Sequence, residues 1–543
     1  MDFDLVIKNG TVIDGTGRRR FHADLGLRGG KVAVVSASEP LSCTRTLDAS
    51  RLAVAPGFID FHSHSEWVAP LPDHDRVLAP LVLQGITTMV AGQCGFSPAP
   101  VTDETIPLVD HTSAMLRESA FPYRWRSVRE FLDVLQSDGM MINTALLAGH
   151  APVRYAVVGD SLEPPQPEQL EAMCRVLRKA IRDGAFGMSA GLGYTPGMFA
   201  QTEELLALLR VVAEEGAVYT VHNRTYRWAT TFYEPMVGGV PHNIRAIREQ
   251  LDLARRSSVR LQLSHLIFVG RNTWPTYQTA LQEIDALADE GYDLAFDAFP
   301  YTYGNTTINV NLPKWYMADL KRNLDDPAEL RRVEQEWDEQ NALVGRDYSD
   351  IYLLWAGLPE LADLDGLHFA AVAEQLNMRP AEAYVHVAKL SDGRARILQD
   401  TFSGDGSSEE PLQAVLSHPR CSFMLDTILT RGGKANPASY GTFPRLLGRY
   451  SRDLGLFTLE ETVRRSTSYS AERLGLGDQI GRVAPGYWAD LVLFDPDTVG
   501  DNTTLEQPDT PPSGIHTVLI SGQVVAQGGQ ITTRARHGRV LRR

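Results

Sequence analysis

An α/β protein built on a closed (β/α)8 TIM barrel is predicted by two observations. Short apolar runs alternate with helical patterns from about Pro56 to about Asp478, and eight of those runs read as strands. A third observation, a strand-and-turn texture at both chain ends, predicts a β-sandwich domain attached to that barrel.

At the start, Leu5-Val6-Ile7 and Val12-Ile13, then Leu25-Gly26-Leu27 and Val32-Ala33-Val34-Val35, read as strands within 4–14 and 24–35. Asn9-Gly10, Asp14-Gly15 and Gly29-Gly30 break them, and all three pairs favour tight turns. The same texture returns at 489–494, 518–522 and Val524-Val525. Neither end buries much apolar surface alone, so 1–56 and 479–543 are expected to share one sheet domain, leaving 57–478 as the barrel. Barrel strands are expected at 58–62, 86–92, 142–149, 185–189, 217–221, 259–264, 292–298 and 421–426. The intervening helices are typified by 168–183, where Leu170, Met173, Val176, Leu177 and Ile181 recur at helical spacing. One interval, 305–417, is far longer than a crossover needs and contains a charged helical stretch at 325–341, which predicts an inserted lid subdomain over the barrel mouth.

Composition narrows the function. The chain is 43% hydrophobic and 22% charged with 45 Gly and 31 Pro, the profile of a loop-rich globular protein. Its formal charge of −15 argues against nucleic-acid or anionic-membrane binding and points to a small-molecule substrate; it specifies no oligomeric state. The opening residues carry no basic-then-apolar leader and no stretch is long enough to span a membrane, so a cytoplasmic location is expected. Cys43, Cys94, Cys174 and Cys421 are widely spaced with no CxxC pair, which excludes a disulfide framework and a structural zinc knuckle.

The chemistry lies at the C-terminal ends of the expected strands, where a barrel builds its active site. The first strand ends in His62-Ser63-His64, and residues two apart on a strand share a face. The second ends in Gln93-Cys94-Gly95, the third in Gly149-His150, the fifth in Val221-His222 and the sixth in Ser264-His265. The eighth ends in Leu425-Asp426, a carboxylate closing an apolar strand, where an unpaired charge would be costly. His62, His64, Cys94, His222, His265 and Asp426 form a ligand set suited to a borderline-soft divalent ion such as zinc. His150 either orients substrate or is a structural histidine.

These residues resemble the amidohydrolase superfamily, and within it the N-acyl-D-amino-acid deacylase (D-aminoacylase) branch. The resemblance runs through 56–64 (Pro-Gly-Phe-Ile-Asp-Phe-His-Ser-His), Gly85-Ile86-Thr87-Thr88, Cys94-Gly95-Phe96-Ser97, 191–197 (Gly-Leu-Gly-Tyr-Thr-Pro-Gly), Tyr440-Gly441-Thr442-Phe443-Pro444-Arg445 and 486–491 (Gly-Tyr-Trp-Ala-Asp-Leu). It implies that Cys94, His222 and His265 hold one tight zinc, that His62 and His64 form a second, weaker position, and that Asp426 is the general acid/base. Strand four, Ala185-Phe186-Gly187-Met188-Ser189-Ala190, lacks the metal-bridging lysine of other amidohydrolases, which favours the cysteine branch.

The resemblance thus implies a zinc-dependent hydrolase that splits a linear amide, an N-acyl amino acid or a related N-acyl amine, into acid and amine. Tyr194 and His150 are candidate donors to the oxyanion. Two positions depart from the family: a lysine after the strand-six histidine and an arginine after the strand-eight aspartate, both expected to hold an α-carboxylate, are here Ile267 and Ala438. Arg224, Arg431 or Lys434 would then supply a displaced clamp, or Trp228, Phe232 and Tyr301 would make a more apolar pocket for a bulky amide. The alternatives are a hydrolase that opens cyclic amides or imides, and a non-catalytic metal-binding barrel.

Overall fold

The computed structural model describes residues 3–39, 41–118, 120–319, 323, 326–532 and 536–543. The two chain ends meet in one nine-stranded sheet. Its seam is Ala53–Pro56 running antiparallel to Leu491–Phe494, in register from Pro56 opposite Leu491 to Ala53 opposite Phe494. On one side lie Leu5–Val12, Phe21–Arg28 and Lys31–Ser36, with Thr46–Asp48 paired parallel to Leu5–Val12; on the other lie Ile515–Ile520, Gln523–Gln527 and Gln530–Ile531. Gly29 and Gly30, at φ +59° and +75°, make the two-residue turn between Phe21–Arg28 and Lys31–Ser36, a conformation that side-chain-bearing residues resist. Leu5, Ile7, Val12, Leu25 and Leu27 from one end pack with Leu491, Leu493 and Leu519 from the other, so neither end has a core without its partner.

Between the ends, parallel strands follow one another in chain order. Phe58–Asp60, Ile86–Ala91 and Asn143–Leu146 form one sheet, and Ala148–Gly149, Gly187–Gly191, Val218–His222, Arg260–Leu263, Leu294–Ala298 and Cys421–Phe423 form another. The third expected strand is therefore split at Leu147, whose N–H bonds Ala91 O at 2.9 Å. At the opposite edges, the Asp426 N–H bonds His62 O at 3.1 Å and the Leu425 N–H bonds the Asp60 carboxylate at 3.0 Å. The strands are buried along their length, as expected when helices cover a parallel sheet. The helix expected at 168–183 spans Pro167–Arg182 and turns Met173, Leu177, Ala180 and Ile181 inward, with Pro167 at its first position, where no N–H is needed.

The long interval has its own architecture. Gly304–Thr307, Arg396–Gln399 and Ile351–Trp355 make a three-stranded antiparallel sheet, with Arg396–Gln399 in the centre. The helix expected at 325–341 spans Pro327–Val344; Asp325 lies outside the described residues. Asp326 caps it by accepting from the Ala328 and Glu329 N–H groups, and Gly345 ends it in the left-handed conformation. Ile308, Trp337, Ile351, Phe369, Tyr384 and Ile397 form a core separate from that of the parallel sheets. At the end of the interval, the helix Glu410–Ser417 buries Leu412, Val415 and Leu416 in the principal core.

Candidate metal centre

Cys94, His222 and His265 converge from the ends of three strands. Cys94 Sγ lies 3.8 Å from His222 Nδ1 and 3.6 Å from His265 Nε2, and the two imidazole nitrogens are 3.0 Å apart. A tetrahedral zinc ion with Zn–N of about 2.0–2.1 Å and Zn–S of about 2.3 Å sets its ligands about 3.3–3.6 Å apart, so the 3.6 Å edge matches, while on an ion the 3.0 Å edge would open and the 3.8 Å edge close by a few tenths of an ångström. His62 Nε2 is 3.3 Å from the same sulfur and 3.4 Å from Asp426 Oδ1, and His64 Nε2 is 3.6 Å from that oxygen. Three overlapping triads result: His62, His64 and Cys94; Cys94, His222 and His265; His62, His265 and Asp426. All six residues are thus brought together, as a donor set for a divalent metal.

Local structure aims these side chains. Cys94, His265 and Asp426 have φ of +54°, +33° and +51°, a region side-chain-bearing residues avoid and hold only where their surroundings enforce it. The Cys94 turn is pinned on both sides. Gln93 donates to Phe61 O at 2.8 Å and accepts from Thr220 Oγ1 at 2.8 Å, while Ser189 accepts from the Gly95 N–H at 3.0 Å and donates to Gly92 O at 2.5 Å. Strand four thus supplies a serine that holds the cysteine loop. Asp297 receives the His265 N–H at 2.6 Å and Gln262 Nε2 at 3.1 Å, and lies 3.8 Å from His62 Nδ1. Asp60 accepts from the Leu425 and His62 N–H groups, tying the first strand to the segment that carries Asp426.

Electrostatics follow from burial. Removal from water pushes the His62, His222 and His265 imidazoles down, which keeps them neutral and able to ligate. Burial pushes the Cys94 thiol up, with Asp426 and Asp297 adding to it, so a cation is needed to hold the thiolate. Burial would also raise Asp426, but the charge that His62 and His265 carry when protonated, together with the hydrogen bond and charge of His64, whose own imidazole is pushed up by Asp426 and Glu66 against its burial, outweighs it and holds the carboxyl below its ordinary range. Asp426 is accordingly ionised. Burial keeps the Tyr194 phenol protonated.

The cluster opens into a cavity of about 920 Å³, counting the part open to solvent, where His64, Cys94, His222, His265 and Asp426 meet Tyr194, Arg224, Tyr226, Arg227, Phe232 and Ile267. Asn305, Thr306, Asn311, Gln340 and Gln399 from the inserted unit complete the wall. Tyr194 sits with its ring 4.4 Å from that of His222 and its hydroxyl 3.2 Å from Thr306 Oγ1. Arg224 reaches the wall but is engaged by Glu249 at 2.8 Å.

Other expected contacts lie elsewhere. His150 is buried beside Glu204 at 2.8 Å, an oxygen it shares with Arg154, and does not reach the cavity. Tyr301 donates to Asp501 at 3.0 Å beneath the Arg445 guanidinium. Arg431 pairs with Asp73 on a different rim, Lys434 lies against Gly366, and neither lines the cavity. Of the three aromatic candidates only Phe232 lines it; Trp228 is 37% exposed. Ala438 is buried in the core, away from the wall.

Asp60, Gln93, Ser189, Asp297, Tyr226 and Arg227 went unrecognised in the sequence. Asp297 carried a usable signal, an acid near the end of an apolar strand, the same feature that marks Asp426. Tyr226, whose ring lies 5.0 Å from those of both His222 and His265, sits in a loop whose course only the fold defines.

A model of the Amidohydrolase family matches residues 45–526. The chain is 31% identical to the D-aminoacylase of Alcaligenes xylosoxydans xylosoxydans, over 100% of this chain and 98% of that one. It is 33% identical to the N-acyl-D-glutamate deacylase of the same organism, over 99% and 96%. The crystal structure of the Bordetella bronchiseptica N-acyl-D-glutamate deacylase, complexed with zinc and a phosphonate inhibitor that mimics the tetrahedral intermediate, matches with a TM-score of 0.82, 30% identity and full coverage of both chains. Sequence, fold and a cysteine–histidine–aspartate metal cluster therefore agree, and the chain belongs to the amidohydrolase family, in its D-aminoacylase branch.

Proposed function

We propose that this protein is a zinc-dependent amidohydrolase that splits a linear amide, an N-acyl-D-amino acid or a related N-acyl amine, into acid and amine. The observation that carries this reading is the position of Asp426: an ionised carboxylate with Oδ1 3.4 Å and 3.6 Å from two metal-type imidazoles, at the mouth of a cavity. Cys94, His222 and His265 would hold one ion tightly, and His62 and His64 would offer a second, weaker position. When bound, zinc supplies Lewis acidity, lowering the pKa of water and polarising a carbonyl. The parallel strands are read as a closed (β/α)8 barrel over 57–478, with Asp426 at its closing edge, the terminal strands as a β-sandwich over 1–56 and 479–543, and the inserted unit as a lid.

Asp426 accepts the proton of the attacking water and returns it to the leaving nitrogen, which departs as an amine. Tyr194, protonated and beside His222, turns its hydroxyl from Thr306 to the developing oxyanion. Wall residues from the inserted unit exclude bulk water. The test is mass spectrometry of products from the zinc-loaded protein with N-acyl-D- and N-acyl-L-amino acids, neutral aryl amides and hydantoins. Acid and amine released from linear amides are expected; turnover confined to hydantoins would refute the reading.

A further inference from the structure

Two guanidinium groups line the cavity, and their charges are treated differently. Arg224 is neutralised by Glu249, through Nε at 2.8 Å and Nη2 at 2.9 Å, and its remaining bonds go to the carbonyls of Met198 and Ala200. Arg227 is 8% exposed and meets no carboxylate among the described residues. Nη1 donates to Gln340 Oε1 at 3.0 Å, and Nη2 donates to Asn311 Oδ1 and to Val310 O at 3.4 Å. Nε donates to no described residue.

The neighbouring charge is a second buried guanidinium, Arg346, itself held by the carboxamides of Asn341 and Gln399. Gln340, Gln399 and Asn311 are wall residues too, so this corner of the cavity is built of arginine and carboxamide. Amide oxygens solvate a guanidinium without cancelling its charge, and a buried cation without a counter-ion is expensive. A mere strut from the Tyr226–Arg227 loop to the inserted unit would need only a neutral donor. Asp426 is the acid in the wall, and it is committed to the imidazoles at the metal end. The cavity therefore presents one uncompensated positive charge, paired with a free N–H, on the side formed by Asn311 and Gln340 of the inserted unit.

We propose that Arg227 anchors a carboxylate of the substrate, fixing the class as an anionic N-acyl compound; the proposal rests on the amide-hydrolase reading above. Binding places the carboxylate against Arg227 Nε and its free Nη1 hydrogen while the amide lies at Asp426. The carboxylate sits either on the amine half, as in an N-acyl amino acid, or on the acyl half, as in an N-succinyl amine.

The experiment compares the zinc-loaded wild type, Arg227→Met and Arg227→Lys on N-acetyl-D-methionine, N-acetyl-D-methioninamide and N-succinyl-isobutylamine. The wild type is expected to prefer one of the two carboxylates over the neutral amide by at least about 100-fold in kcat/KM, and which one identifies the half. Arg227→Met is expected to cut that ratio at least about 30-fold, mostly through KM, with Arg227→Lys between them. An unchanged ratio in a variant with wild-type circular dichroism overturns the anchor. Calorimetry with zinc-loaded Asp426→Asn separates the two proposals: if nothing is hydrolysed, yet N-acetyl-D-methionine or N-succinyl-isobutylamine binds better than the amide and loses that advantage on adding Arg227→Met, the anchor stands and the hydrolase reading falls. No carboxylate-dependent binding overturns the anchor.

Discussion

Asp426 and His62 meet twice: the Asp426 N–H bonds His62 O at 3.1 Å, and Asp426 Oδ1 lies 3.4 Å from His62 Nε2. One contact joins the last parallel strand segment to the first, and the other makes the site. The place where these two segments meet is therefore also where the proposed base is held.

Removing the charge but not the shape of that base tests its role. Asp426→Asn keeps the backbone bond, so the variant should fold and retain zinc by elemental analysis. Its kcat on the best linear amide should fall about 10³-fold. Turnover within a few-fold of wild type would exclude proton transfer by Asp426.

Of the six candidate ligands only Cys94 belongs to the core of the parallel strands, and none belongs to that of the terminal sheet or the inserted unit. Chelation is therefore expected to abolish activity while leaving the far-ultraviolet circular dichroism unchanged, with a lowered Tm that zinc restores by mass action. Cys94→Ala should lose the tightly held equivalent of zinc, and His62→Ala should keep it.

Ser189 holds the Cys94 loop through Gly92 O and the Gly95 N–H. Ser189→Ala leaves both buried groups unpaired, a cost of about 1–3 kcal/mol. Competition with a chromophoric chelator should show zinc affinity weakened about 10–100-fold, as for other residues that orient a metal ligand. An unchanged affinity would mean that the loop holds its conformation unaided.

Glu204 is buried between His150 and Arg154. Burial alone would raise its carboxyl, but its hydrogen bonds and charge interactions with His150 and Arg154 outweigh it and hold it below the ordinary 4.5. A carboxyl depressed in the folded state stabilises above its unfolded pKa, and that contribution disappears as the pH falls below about 4.5. Melting curves of Glu204→Gln should thus lie below wild type at neutral pH and converge with it under acid.

Trp337 is 1% exposed in the core of the inserted unit, with its ring 4.0 Å from that of Tyr384. Trp337→Ala should destabilise that unit by about 3–5 kcal/mol. Tyr384 in turn receives Asn311 Nδ2 at 2.9 Å, and Asn311 lines the cavity. A raised KM should accompany an early unfolding transition in denaturant, and a single transition at the wild-type midpoint would contradict the separate core.

Much of this was legible in the chain by itself. Short apolar runs alternating with helical patterns placed the strands, because a buried parallel strand must be apolar and its ends must turn. Histidines, a cysteine and an aspartate at those ends then marked the residues that the fold gathers as candidate ligands, since each is costly to bury without a partner. What sequence could not settle was which polar residues share a space. His150 closes a strand as His222 does, yet its ring turns to Glu204. Arg431 follows Asp426 by five residues and pairs with Asp73, while Arg227 reaches the cavity from a loop that sequence leaves unmarked. Strand ends are set by where a local apolar run gives way to turn residues, which a sequence carries. The course of a loop, the positive φ of Cys94, His265 and Asp426, and the choice of partner for a long side chain depend on contacts between residues far apart in the chain, and only the tertiary structure decides those.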